Sequence, residues 1–129
     1  MPNNVELKRQ ATAFAIGQNP TEILIHRVMR GENPNTGGKI EEESTVGPFT
    51  CRIIPPRPTA NNRIITAVAG TEKVSTPWML LAPYNADVIA DDTTTDEFAA
   101  GGKYFRVTNV VKYMEDGQVT SIQAELKVI

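Results

Sequence analysis

Residues 103–129 read KYFRVTNVVKYMEDGQVTSIQAELKVI. Two apolar-rich runs, Lys103 to Met114 and Val119 to Ile129, flank Glu115-Asp116-Gly117-Gln118. Asp-Gly as a two-residue loop favours a type I′ turn, whose twist suits a β-hairpin. With that pair as the loop, Val111 faces Ile122, Asn109 faces Ala124, Val107 faces Leu126 and Phe105 faces Val128. All eight fall on one face. The opposite face of the second strand is Ser121, Gln123, Glu125 and Lys127. A slip of one residue would exchange every one of these positions between core and solvent. Turn chemistry and alternation agree, so an antiparallel sheet is the frame for the rest. Asn109 is the misfit on the apolar face; it satisfies a backbone group or sits at a bend.

Working backwards, Asp96 to Ala100 leads through Gly101-Gly102 into this hairpin. Pro83 to Thr95, with Asp87, Asp91 and Asp92, reads as an acidic, solvated connection. Trp78 to Ala82 is a short buried strand. Before it, Pro55, Pro56 and Pro58 lie within four residues and cannot continue a ladder. With the ambiguous run Ile64 to Val74, they make 55–76 a long excursion, a class of loop that is functional or disordered. Lys39 to Ile54 reads as one strand or a pair, interrupted at Gly47-Pro48, with Phe49, Cys51 and Ile53 inward. Gly31 to Gly38 is turn-rich. Thr21 to Arg30 is a strand with Ile23 and Ile25 on one face and Leu24, His26 and Val28 on the other. At the start, Asn3 or Asn4 can cap a helix on which Leu7, Ala11, Phe14 and Ala15 recur at helical spacing, with Gly17 as its stop. That stripe must dock on its own sheet or on a neighbouring subunit.

The expected organisation is a single domain, 1–129: helix 1–18, first strands 21–54, long loop 55–76, and C-terminal strands with the hairpin in 77–129. The class is mostly β, a small antiparallel β-barrel or sandwich with one N-terminal α-helix and long loops. A chain of 129 residues can bury a core without staples. Aromatic residues are 6% of it, so the core rests on aliphatic side chains. The net charge of −2 argues against a dedicated nucleic-acid binder, which needs a basic surplus, but allows a wall that merely surrounds nucleic acid. Cys51 is the sole cysteine, so the fold needs no disulfide and suits a reducing cytosol. Neither a signal peptide nor a membrane span is expected.

The chemistry-bearing residues are sparse. Nucleophilic catalysis would need Cys51 beside His26, the only histidine, but a lone cysteine on an inward strand face is usually a small hydrophobe. A zinc site needs three or four N/S ligands and the chain owns two. Asp87, Asp91, Asp92, Asp96 and Glu97 lack the spacing of a calcium loop, and Glu41-Glu42-Glu43 reads as a solvated edge that discourages unwanted strand pairing. Gly37-Gly38 and Gly101-Gly102 precede strands, not the helix start that holds phosphate. Arg52, Arg57 and Arg63 surround the proline excursion without interleaved stacking aromatics. No catalytic residue, cofactor or metal is expected.

A string of short motifs resembles the small head–tail connector proteins of tailed bacteriophages and prophages, the head-closure (adaptor or stopper) proteins. Leu80-Leu81-Ala82-Pro83-Tyr84 is an apolar strand with a turn. Ala86-Asp87-Val88 is similar to the family's A-D-I, and Asp96-Glu97-Phe98 to its G-D-x-F. Gly102 to Val107 resembles G-x-x-Y-x-V, and Gln123-Ala124-Glu125-Leu126 resembles Q-A-x-L-E. The likeness covers about residues 78 to 129. Upstream, Pro20 to Arg27 is written like P-T-E-I-x-I-x-R. In this chain Thr95 stands where the family often has the glycine of Gly-Asp, so that turn differs.

The resemblance implies a non-enzymatic β-barrel subunit of the virion neck, assembled in the cytoplasm of a bacterial host as a cyclic oligomer between portal and tail. Its partners would be itself, the portal or adaptor and the tail proteins, with no membrane and no small-molecule substrate. DNA would pass through without sequence-specific binding. Each subunit would offer two different faces to its ring neighbours. Residues Pro55 to Ser75, with Arg57, Asn61 and Arg63, become the leading channel or neighbour-contact loop, and Gly31 to Gly38, with Asn35, the second. Leu7 and Phe14 become the helix contacts to a neighbour or the portal. The other reading is a small-barrel module binding single-stranded nucleic acid or another ligand through Tyr84, Tyr104 and Tyr113.

Overall fold

A computed structural model describes residues 3–56 and 77–129. The chain runs α1 (Asn4–Gln18), β1 (Thr21–Glu32), β2 (Lys39–Ile54), β3 (Trp78–Pro83), β4 (Thr94–Ala100), β5 (Lys103–Glu115) and β6 (Gln118–Val128). The protein is mostly β: six antiparallel strands close into a barrel in the order β1-β2-β3-β6-β5-β4. Every neighbouring pair is antiparallel, so strands alternate in direction along the chain. The β1–β2, β3–β4 and β5–β6 connections therefore emerge at one end of the barrel. The β4–β5 turn, the two ends of the β2–β3 connection (Pro56 and Pro77) and Ile129 lie at the other.

Period-two alternation fills the barrel. Ile23, Ile25, Cys51, Leu80, Ala82, Phe98, Phe105, Val107, Ile122, Ala124 and Leu126 form one buried cluster. Phe105 is its aromatic centre, 5.1 Å from Trp78 and 5.5 Å from Phe98 between ring centroids. The Gly47-Pro48 interruption is a bulge inside a continuous β2: Leu24 alone opposes Gly47 and Pro48. Gly47 has φ +113 and a Cβ there would sit 3.3 Å from the Ile23 carbonyl oxygen, so glycine is required.

The C-terminal hairpin turns at Asp116 (φ 51) and Gly117 (φ 75), both left-handed as a type I′ turn demands. Phe105↔Val128 and Val107↔Leu126 pair as the alternation predicts. Between them and the turn the register differs by one residue. Lys112, not Val111, faces Ile122, and Val110, not Asn109, faces Ala124. Two bulges cause this, one extra residue on each strand: Thr108 on β5 and Thr120 on β6. Each threonine hydroxyl donates across the hairpin, Thr108 to the Glu125 carbonyl and Thr120 to the Tyr113 carbonyl. The slip resolves the Asn109 misfit, because Asn109 turns to solvent and Val110 packs on the core. Val111 is exposed, contrary to the expected register, and Val128 at the barrel rim is 40% exposed.

The helix is capped by the Asn3 side chain, which accepts from the Glu6 N–H at 2.9 Å. It docks on its own barrel, against β6, β3 and β2, and buries Val5 and Ile16. Lys8 pairs with Glu115 at 2.6 Å, Arg9 donates to the Val119 carbonyl, and Arg52 donates to the Ala15 carbonyl near the helix C-terminus. A cation there also complements the helix dipole. The Leu7–Ala11–Phe14 stripe does not dock; it points to solvent.

Candidate functional site

Arg27 continues the inward parity of Ile23 and Ile25, and it is buried. The β1–β4 ladder sets it directly opposite Asp96, which is 0% exposed. Nε and Nη2 of Arg27 donate to the two oxygens of Asp96 at 2.8 and 2.9 Å, a two-pronged geometry that suits a carboxylate. Nη1 and Nη2 also donate to the Asp87 carboxylate at 2.9 and 3.1 Å. The Ile89 N–H completes the Asp96 shell at 2.7 Å. The hydrogen bonds that Arg27 donates to Asp96, above all, raise the affinity of the guanidinium for its proton. The hydrogen bonds it accepts from Arg27 hold the Asp87 carboxyl below the usual carboxylate range.

The cluster does a mechanical job. Ala86 and Val88 are buried in the barrel core on either side of Asp87, so the first half of the β3–β4 connection folds back over the barrel mouth. Arg27 pins that connection to β1 and β4. The connection expected to be acidic and solvated is thus half structural: Asp87 and Asp96 serve the pin. Asp91 organises the next turn by accepting from the Thr93 and Thr94 N–H groups, which lowers its pKa.

Beyond the pinned mouth, two ribbons project from the same end. One is the tip of β1–β2, where Met29 to Glu32 and Lys39 to Thr45 are exposed on both strands. The other is the tip of β5–β6, with Val111, Tyr113 and Met114 exposed. Asn35 is exposed at the turn of the first ribbon. Leu7 and Phe14 lie on the outer helix face, and Phe14 is 71% exposed. Arg57, Asn61 and Arg63 lie outside the described residues. The structure therefore gathers Leu7 and Phe14 on one face and sets Asn35 apart from them, at a ribbon tip.

Cys51 and His26 do not form a pair. Cys51 is inside the barrel, and burial pushes its thiol up to about 12. His26 lies on the outer wall between the inward Ile25 and Arg27, opposite Thr45 and Glu97. Thr21 is the residue opposite Cys51, so the two are also separated along the sheet by five residues of β1, roughly 17 Å. The tyrosines do not converge either. Tyr104 and Tyr113 stand near opposite ends of β5, and the Tyr84 ring is covered by the Arg9 guanidinium at 3.8 Å.

Reading the sequence for chemistry missed the Arg27 cluster. The available signal was parity: Arg27 shares the face of Ile23 and Ile25, and Asp96 that of Phe98. Comparison with protein-family models, with curated proteins and with solved structures finds no match for this chain.

Proposed function

We propose that this chain is a structural subunit of the head–tail connector of a tailed bacteriophage or prophage, a head-closure protein that works as a ring between portal and tail. The observation that carries this reading is the convergence of three separated motifs. Arg27 ends the stretch Pro20 to Arg27, Asp87 is the centre of Ala86-Asp87-Val88, and Asp96 begins Asp96-Glu97-Phe98. Each motif alone has no chemistry. Together they form one ion cluster, buried at Arg27 and Asp96 and half exposed at Asp87. Short motifs that share a single structural pin are what an architectural family needs to keep, so their joint occurrence supports the resemblance.

The shape of the subunit supports the same role. A ring component held between two different partners needs two different ends. This barrel carries paired ribbons at one end and the origin of residues 57–76 at the other. The closed barrel leaves its exterior, not its interior, available for contact. A net charge of −2 suits a channel wall that lets DNA pass without gripping phosphate. On this reading the protein is not an enzyme and works at the virion neck.

The test is assembly of the full chain. Mass photometry and negative-stain microscopy, alone and with a phage portal protein, are expected to show closed rings. Deleting residues 57–74 is expected to leave a folded monomer that no longer assembles. A monomer that never engages the portal overturns the proposal. Salt-sensitive binding of single-stranded DNA by that monomer would favour the small-barrel binding module instead.

A further inference from the structure

We propose that the outer edge of β2, from Lys39 to Thr45, receives an extended lysine- or arginine-bearing segment of a partner protein as an added β-strand. This goes beyond the connector reading, which assigns no role to any strand edge.

The ladder pattern carries the argument. On one side β2 pairs with β1 from Lys39 to Cys51. On the other side it pairs with β3 only at Arg52, Ile53 and Ile54. Among the described residues, the rest of that edge has no strand beside it. The helix does not serve instead, since the groove it forms with β2 is lined by Pro48, Phe49 and Thr50. Along an antiparallel edge every second residue turns its N–H and C=O outward, which templates a further strand. The ribbon also projects past the β1–β4 ladder, which spans His26 to Met29. A two-stranded ribbon is marginal by itself and gains from a third strand.

Charge selects the occupant. Glu41, Glu42 and Glu43 are consecutive and exposed, so they line both faces of the edge. Arg30 reaches Glu41 at 3.8 Å from the neighbouring strand. Glu42 and Glu43 face Met29 and Val28, so neither has a cation across the ladder. A second copy of β2, paired antiparallel about Glu42, would set Glu41 against Glu43 and Glu42 against itself. Like charges directly opposite are destabilising. The same carboxylates attract a strand that presents cations on both faces. A self-pairing centred on the three glutamates is thus disfavoured, while a basic strand meets opposite charge there, the β-addition mode of peptide recognition.

The probe is a peptide of repeating Lys-Lys-Thr-Thr, about nine residues long, which sets lysines on both faces of a strand, added to the full chain. Amide hydrogen exchange is followed by NMR from Lys39 to Thr45. Every second amide is expected to exchange fast in the free protein and to slow at least roughly tenfold with this peptide. A lysine–proline peptide of equal charge should give no such protection, because proline cannot donate to a ladder. A glutamate–threonine peptide is expected to bind roughly tenfold more weakly, and the double variant Glu42→Lys/Glu43→Lys to reverse that preference. Equal binding of both lysine peptides without alternating protection would mean charge adhesion alone and overturn the proposal. Slow exchange of the same amides in the free protein would mean the edge is already covered by the chain itself or by a second copy, and would also overturn it. Rings that still form under either outcome would leave the connector reading standing.

Discussion

Arg27 occupies a position where the alternation of β1 calls for an apolar side chain. Its charge is tolerated because Asp96 and Asp87 use the guanidinium from two sides. A buried ion pair is weak evidence of stability in itself, but leaving one member alone is costly. Arg27→Leu is therefore expected to lower the unfolding free energy by about 3–5 kcal/mol, since it leaves Asp96 buried without a cation. Arg27→Leu combined with Asp96→Leu should recover much of that loss. Urea unfolding of the two variants checks it, and equal losses would mean the pair is not what holds the barrel mouth. Asp87 adds a pH dependence. Its folded pKa is depressed, so its contribution is present above the unfolded value, roughly pH 4, and lost as the pH falls through the lower folded value. Its side chain is half exposed, so the effect is small and screened. Asp87→Asn is expected to flatten the acid limb of a stability-versus-pH curve without changing the neutral side of its shape.

At the scale of elements, the hairpin shows how far local chemistry reaches. Asp116-Gly117 and the flanking alternation were sufficient for the turn type and for the pairs nearest the barrel floor. The two bulges were not legible, because a threonine in a strand looks the same whether it sits in the ladder or outside it. What turns Thr108 and Thr120 into bulges is the need to place Val110 inward and Asn109 outward on a barrel wall that also bends. Gly117→Ala is expected to cost about 1 kcal/mol, because an L-residue at φ 75 is strained. Asp116→Gly should be close to neutral; thermal unfolding distinguishes the two. The helix gives the opposite lesson. Its spacing identified a helix correctly but did not say which face the barrel covers. Val5 and Ile16 are buried, while Leu7 and Phe14, the larger apolar stripe, stay in solvent.

For the whole molecule, that exposed stripe separates stability from assembly. Ile16→Ala is expected to destabilise the monomer by about 2 kcal/mol. Leu7→Ser with Phe14→Ser should stay within about 0.5 kcal/mol of the parent chain and yet weaken ring formation. Denaturant melts and mass photometry read the two effects independently; a double variant that unfolds early would return the stripe to the fold. The sequence by itself determined the strand-rich class, the positions of the helix and of five of the six strands, the hairpin turn and most of the inward aliphatic set, because each rests on interactions within a few residues or on the pleat's period of two; β4, Thr94–Ala100, was read only as a lead into the hairpin. Only the tertiary structure decided that Arg27, Asp87 and Asp96 meet, which helix face is covered and which edge of β2 is left open. Those outcomes depend on which strands become neighbours when the sheet closes, and closure joins residues such as Arg27 and Asp96, 69 positions apart, that no local pattern relates.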